Sequence, residues 1–182
     1  EKMLYNEALM PHWKELADAL LRCYSPFDSP FEFTIDNVHL PSAVLNLLTT
    51  GLNIRNIYKC SLFGVEFEEG RSCEGIDFAV NMLQRNISMS SFGWSWCGTV
   101  VASDSTRLHN AVLGHPSLTC LDLDNYLDEG VNGYDNLISL LTTKPKLTTI
   151  FYRSNNVRTA GDIGLSNFLA TDPSLSFLSL NQ

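Results

Sequence analysis

The chain has few basic residues and no long apolar run, and these two absences exclude several classes of function. Lysine and arginine number 12 against 20 acidic residues in 182, which gives a formal net charge of −8. Nucleic acids and anionic lipids are held by clusters of lysine and arginine, so we expect neither as a partner. No stretch of about 18 apolar residues occurs, and we therefore expect no membrane span.

Motifs of catalysis and of cofactor binding are also missing. None of the four histidines stands beside a nucleophile or a carboxylate at catalytic spacing, and the HExxH, GxSxG and phosphate-loop patterns do not occur. The stretch Gly161-Asp162-Ile163-Gly164 lacks the lysine of a phosphate loop. We therefore predict that the protein is not an enzyme and that it uses no cofactor.

One acidic cluster raises the question of a metal site. It contains Asp122, Asp124, Asp128 and Glu129. A calcium loop needs a glycine at its sixth position and a glutamate at its twelfth, and the cluster offers neither. We interpret it as a solvated acidic edge and predict no metal site.

What the sequence does contain is a repeat in its last third. The same apolar pattern occurs as Leu118-x-x-Leu121-x-Leu123, Leu147-x-x-Ile150-x-Tyr152 and Leu175-x-x-Leu178-x-Leu180, with starts 29 and 28 residues apart. The alternation predicts a short strand with one buried face. Each of the first two patterns is followed by a glycine, an apolar stripe at helical spacing and a proline, which predicts a helix. The repeating unit is therefore strand, loop, helix and loop.

These residues resemble leucine-rich repeats of the long, ribonuclease-inhibitor-like type, and the stretch from Leu147 to Pro173 is the best single match. The resemblance implies an α/β solenoid shaped as a horseshoe. Its parallel strands would line the concave face, and its helices would form the convex face. The family's asparagine, which bonds loop backbone between units, is replaced in most units: the slot reads Val38, Leu62, Cys97, Tyr126 and Asn155.

Carried backwards, the register predicts further units. They start at Met89, at Ile54 with an extra loop over Glu66 to Ser72, and near Pro30. We thus predict one leucine-rich-repeat domain over 1–182, with an N-terminal helix in 1–25 and about six strand units in 26–182. No helix follows the last strand, so we expect a missing C-terminal cap and a longer parent protein.

The five cysteines form no CxxC pair and have no metal-like spacing. In the repeat register Cys23 and Cys97 face the interior, whereas Cys60 and Cys120 point outward. Such a scattered set is typical of reduced thiols, so we predict an intracellular, cytoplasmic protein. Asn86-Ile87-Ser88 fits a glycosylation acceptor, a triplet that often arises by chance.

Residues between the apolar strand positions should form the outward face of the sheet. Six strands at about 4.8 Å spacing give a surface about 24 Å wide. The aromatic residues Tyr58, Trp96 and Phe151 are expected there, because exposed aromatics and arginines are enriched in interface hot spots. The predicted partner-binding residues are Tyr58, Trp96, Asp122, Asp124, Phe151 and Arg153. For the aromatics, packing between neighbouring repeats is the alternative; Trp94 is expected in the core.

The function predicted from this face is that of a scaffold for protein–protein interaction, with an unidentified protein as partner. A second hypothesis is a structural subunit of a large permanent assembly, held by its helices or loops. A third follows from the resemblance alone: a regulator that inhibits ribonucleases, stimulates small GTPases or senses ligands as immune receptors do. The acidic residues Asp36, Asp122 and Asp124 would suit a basic ribonuclease.

Overall fold

The computed structural model describes residues 6–22, 31–52, 56–68, 72–95, 97, 101–124, 133–153, 169–170 and 174–181. After a 3-10 turn at Glu7–Leu9, its helices are α1 (Met10–Arg22), α2 (Ser42–Leu52), α3 (Ser72–Arg85), α4 (Ala102–Gly114) and α5 (Gly133–Thr143). Its strands are β1 (Phe31–Asp36), β2 (His39–Leu40), β3 (Ile57–Phe63), β4 (Glu66–Phe67), β5 (Ser91–Ser95), β6 (Cys120–Asp124), β7 (Thr149–Arg153) and β8 (Phe177–Asn181).

Six of these strands form one parallel sheet in the order β1-β3-β5-β6-β7-β8. Helices α2 to α5 lie between successive sheet strands from β1 to β7, as parallel connections require. The strands of the units predicted to start at Met89, Leu118, Leu147 and Leu175 are neighbours in that order. The chain therefore has an α/β fold with a parallel sheet, as the repeat predicted.

One face of the sheet and the inner faces of the helices share one hydrophobic core. Strand positions alternate, so that Leu121 and Leu123 of β6 are buried while Asp122 between them is exposed. On α5 the buried residues Leu137, Leu140 and Leu141 follow the helical spacing that the sequence predicted. Trp94 is also in the core, as expected.

The register predicted for β3 was wrong by three residues. Cys60 pairs with Phe33 and Phe92, and Leu62 pairs with Ile35 and Trp94, so these two residues occupy the buried strand positions. The pattern therefore begins at Ile57 and not at Ile54. Ile54-x-x-Ile57 imitates the start of a unit, but cysteine is a small apolar side chain that fills a core position well. Cys60 is accordingly buried and does not point outward.

The loop predicted over Glu66 to Ser72 contains a strand and the first residue of a helix. Strand β4 pairs in parallel with β2 and forms a second sheet of two strands. Phe67 of β4 stacks on Trp94, with ring centroids 5.7 Å apart. Backbone pairing and this aromatic contact explain why Glu66 and Phe67 form a strand.

Gly64 and Asn37 form the turns that lead into the small sheet. Asn37 has a φ of 51° and Gly64 a φ of 61°, both in the left-handed region. They follow β1 and β3 at matching places, and a Cβ atom on Gly64 would lie 2.5 Å from Oδ1 of Asn37. Glycine is thus required at position 64 both by its backbone and by its neighbour.

Three buried polar side chains link successive strand–helix segments of the chain. They are Asn86, His115 and Lys144, which lie 29 residues apart. Asn86 Oδ1 accepts from Ile57 N at 2.9 Å, and its Nδ2 donates to Met82 O at 2.8 Å. His115 Nε2 lies 2.9 Å from Asn86 O, and Lys144 Nζ donates to His115 O. We call this series the polar ladder. The side chain of each member forms a hydrogen bond with a backbone group that lies 29 residues earlier in the chain.

The structure shows no disulfide bond among the described cysteines, which are Cys60, Cys73, Cys97 and Cys120. Cys97 is buried as predicted. Its Sγ donates to Leu62 O at 3.2 Å, so this hydrogen bond joins the residues after β5 to strand β3. Burial raises the pKa of Cys60 to about 12, so this thiol stays protonated and unreactive. Cys23 lies outside the described residues. Within the described ranges, no helix is long and apolar enough to cross a membrane.

Candidate binding surface

The face of the sheet that points away from the core carries three rows of aligned residues, and we call it the outer face. The first row is Glu32, Lys59, Ser91, Cys120, Thr149 and Phe177. The central row is Thr34, Ser61, Gly93, Asp122, Phe151 and Ser179. The end row is Asp36, Phe63, Ser95, Asp124, Arg153 and Asn181. Parallel pairing in register brings side chains from distant parts of the sequence into each row.

A depression of about 90 Å³ lies where the central row and the end row pass over strands β3 to β8. It is lined by Phe63, Ser95, Asp122, Asp124, Phe151, Tyr152, Arg153 and Ser179. Four of the six predicted partner-binding residues, Asp122, Asp124, Phe151 and Arg153, therefore lie together. The depression is the candidate site.

Arg153 and Asp124 form an ion pair across two adjacent strands. Arg153 NH1 donates to Asp124 Oδ2 at 2.9 Å, and Asp124 is only 2% exposed. Desolvation raises the pKa of the Asp124 carboxyl, and Arg153 opposes this rise by attraction and hydrogen bonding. Asp124 is thus a buried partner of Arg153, which corrects the prediction of a solvated acidic edge at this residue.

Asp122 is the accessible carboxylate of the depression. It is exposed at the centre of β6, and its Oδ1 accepts from Ser95 Oγ at 3.0 Å. The hydrogen bond orients the carboxylate along the sheet without removing it from solvent. A bound group can therefore reach the carboxylate of Asp122 directly, whereas the carboxylate of Asp124 is buried.

Three phenylalanine rings are exposed on the outer face. Phe63 and Phe151 are each 42% exposed and border the depression, and Phe177 is 47% exposed. Phe151 packs on Phe177 with ring centroids 5.0 Å apart. Phe151 therefore packs on a neighbouring strand, as one of the two alternatives predicted, and it still presents much of its ring to solvent.

Tyr58 lies away from the depression. The corrected register of β3 gives its predicted place in the central row to Ser61 and the place of Cys60 in the end row to Phe63. The Tyr58 hydroxyl donates to Glu32 Oε1, which raises the pKa of Tyr58 and lowers that of Glu32. Lys59 also pairs with Glu32, at 3.5 Å. Tyr58 thus belongs to a separate polar group on β1 and β3.

Several predicted residues lie outside the part of the chain that the structure describes. They are Trp96, Asp128 and Glu129. Asp36 is described; it is exposed, and its Oδ1 accepts from Asn37 Nδ2 at 2.7 Å. It therefore lies at the β1 end of the end row, three strands from Asp124 and its neighbour Asp122.

Two residues of the surface were missed by sequence reasoning. Phe63 was overlooked because the register of β3 was misplaced. Phe177 was overlooked because it lies between Leu175 and Leu178, which are the apolar positions of the repeat. The available signal was the same for both: a large aromatic residue at a strand position that should face solvent.

In the described ranges, no group of three or more histidine, cysteine or acidic residues is arranged to hold a metal ion. Comparison with known proteins gives no match to the chain, either among protein-family models or among curated sequences.

Proposed function

We propose that the chain is a leucine-rich-repeat solenoid that acts as a protein-binding scaffold, with a protein partner docking on the outer face of the sheet. In this proposal the outer face is the concave face of the horseshoe, and the work of the molecule is binding rather than catalysis. The partner covers the depression and the phenylalanines around it.

The repeated architecture supports the first half of the proposal. Six parallel strands follow one another in chain order, and the polar ladder repeats every 29 residues. Stacked units of this kind present an extended surface built from equivalent positions of each unit. Such a surface suits the recognition of another macromolecule.

The observation that carries the proposed function is the pairing of exposed aromatic rings with charged groups at one place. Phe63 and Phe151 border a depression whose walls hold Asp122 and Arg153. Large apolar side chains exposed beside oriented charges are typical of interface hot spots. Burying one such phenylalanine would contribute roughly 1.5–3 kcal/mol to binding.

The test is a capture experiment with the variant Phe63→Ala/Phe151→Ala. Both rings are exposed, so their removal should leave the fold intact and weaken partner binding about tenfold or more. Wild-type and variant chains are used as bait in native lysate, followed by cross-linking and quantitative mass spectrometry. Circular dichroism checks that the variant is folded.

The matched control is Ile87→Ala/Val101→Ala, which removes two apolar side chains that are 66% and 54% exposed elsewhere. We expect the control to retain every protein that the wild type captures. Arg153→Ala is a less suitable variant, because it would leave the buried Asp124 carboxylate without its partner. Recovery of the same proteins by wild type and Phe63→Ala/Phe151→Ala would refute the proposed surface.

A further inference from the structure

The charges in the depression are unbalanced. Two carboxylates, those of Asp122 and Asp124, face a single guanidinium, that of Arg153. The ion pair between Arg153 and Asp124 uses that one positive charge. The lining of the depression therefore carries one excess negative charge, on a chain whose net charge is −8.

Asp124 is in addition only half paired. Its Oδ2 accepts from Arg153, but its Oδ1 has no hydrogen-bond donor among the described residues although it is buried. A buried carboxylate oxygen without a donor is costly, and a nearby cation reduces that cost. The residue thus adds an independent reason for a positive group to bind at this place.

The aromatic borders suit the same kind of ligand. Phe63 lies on β3 and Phe151 on β7, two strands that are three places and hence roughly 14 Å apart in the sheet. The faces of aromatic rings attract cations, and rings also pack on the aliphatic stems of lysine and arginine. A basic side chain can rest on one of the rings while its head group reaches Asp122.

The size of the depression limits what can enter it. A volume of about 90 Å³ is well below the roughly 300 Å³ or more typical of small-molecule pockets. The space suits one side-chain head group and not a whole ligand. An acidic group would meet the excess negative charge of the lining and be repelled.

We propose that this depression receives one basic side chain, arginine or lysine, from the protein partner. The inference rests on the proposed function, and it adds the chemistry that the partner must present. The incoming cation contacts Asp122 and offsets the charge of Asp124, while its stem packs on Phe63 or Phe151.

The test uses short random peptides displayed and selected on the full chain. We expect the selected peptides to share one arginine or lysine. Asp122→Asn keeps an oxygen for Ser95 but removes the charge, and we expect it to raise the peptide Kd about tenfold. Glutamine in place of the shared basic residue should have the same effect, and exchange between arginine and lysine shows which head group is preferred.

The matched control is Asp18→Asn, which removes the same charge from an exposed position on α1 and should leave the Kd unchanged. Peptides without a shared basic residue, or peptides that bind wild type and Asp122→Asn equally, would overturn the inference. If those peptides still lose binding in Phe63→Ala/Phe151→Ala, the proposed function stands and only the cationic pocket is refuted. Peptides insensitive to both sets of variants refute both, and a selection without any binder counts against the cationic pocket.

Discussion

At the scale of single residues, the polar ladder shows how a polar side chain becomes part of the core. Asn86 is 4% exposed, and its amide satisfies one backbone N–H and one backbone C=O. Its neighbour His115 bonds the Asn86 carbonyl. Buried polar groups are tolerated when they are paired in this way. The same burial leaves no room for a glycan on the Asn86-Ile87-Ser88 triplet in the folded chain.

Asn86→Ala should lower the free energy of unfolding by about 2–4 kcal/mol. The substitution leaves Ile57 N and Met82 O without their side-chain partner in a buried place, and each loss costs roughly 1–3 kcal/mol. The matched control is Asn110→Ala on the exposed side of α4, which should change stability by less than about 0.5 kcal/mol. Urea denaturation measures both. Equal stability of the two variants would contradict the structural role of Asn86.

The site illustrates what single residues reveal before a structure is known. Phe151 and Arg153 were predicted on the outward face because they alternate with buried Ile150 and Tyr152, and period-two alternation is a local property. The pairing of Arg153 with Asp124 was not predictable in the same way. It joins residues 29 positions apart and depends on the orientation of both side chains.

At the scale of elements, the register of each strand depends on which apolar residues take the buried positions. From Met89 onward, the leucines, the isoleucine and the aromatic residues fit the buried positions in only one register. The predicted register agrees with the observed strand pairing. In β3 two registers fitted the spacing, one that starts at Ile54 and one that starts at Ile57. The second is the observed register, and it places Cys60 in the core. A shift of three residues reverses which side chains face outward, so Phe63 was lost from the predicted surface.

Gly64→Ala should destabilise the chain by about 1–2 kcal/mol. Alanine is strained at a φ of 61°, and its Cβ would lie 2.5 Å from Asn37 Oδ1. The matched control is Gly114→Ala, because a Cβ at the end of α4 would meet nothing within 4 Å. We expect the control to be neutral or slightly stabilising. Thermal unfolding of the two variants compares them, and a tolerated alanine at 64 would show that the turn relaxes easily.

At the scale of the whole molecule, one hydrophobic core connects the described sheet strands from β1 to β7. The polar ladder runs from Ile57 of β3 through Asn86, His115 and Lys144, which follow α3, α4 and α5. The alternation of strand and helix, the parallel order and the buried face followed from local patterns that the sequence displays. The two-stranded sheet and the polar ladder could not be predicted from local patterns, because each depends on contacts between residues that are far apart in the sequence. The ladder nevertheless left a trace in the sequence, because Asn86, His115 and Lys144 share the period of the apolar repeat.

The stability of the molecule should fall as the pH falls below about 6.5, the usual pKa of histidine. Desolvation lowers the pKa of His109. Desolvation is also the main cause that lowers the pKa of His115; the hydrogen bond with Asn86 opposes this shift, and the charge of Lys144 adds to it. Ser117 N donates to His115 Nδ1, so the neutral ring carries its proton on Nε2. The unfolded chain therefore binds protons more readily than the folded one, and stability present above the unfolded pKa is lost as the pH falls toward the folded pKa.

The variant that tests this is His115→Gln, measured by urea denaturation at several pH values between 5 and 7.5, a range around the histidine pKa of about 6.5. One group contributes at most about 1.4 kcal/mol per pH unit, and removal of His115 should reduce the pH slope by a measurable part of that value. Asn110→Gln, which changes an exposed residue of α4 that does not titrate, is the control and should keep the wild-type slope. If His115→Gln has the same slope as the wild type, the imidazole titrates alike in both states. The ladder then contributes to stability only through its hydrogen bonds and not through the charge state of its histidine.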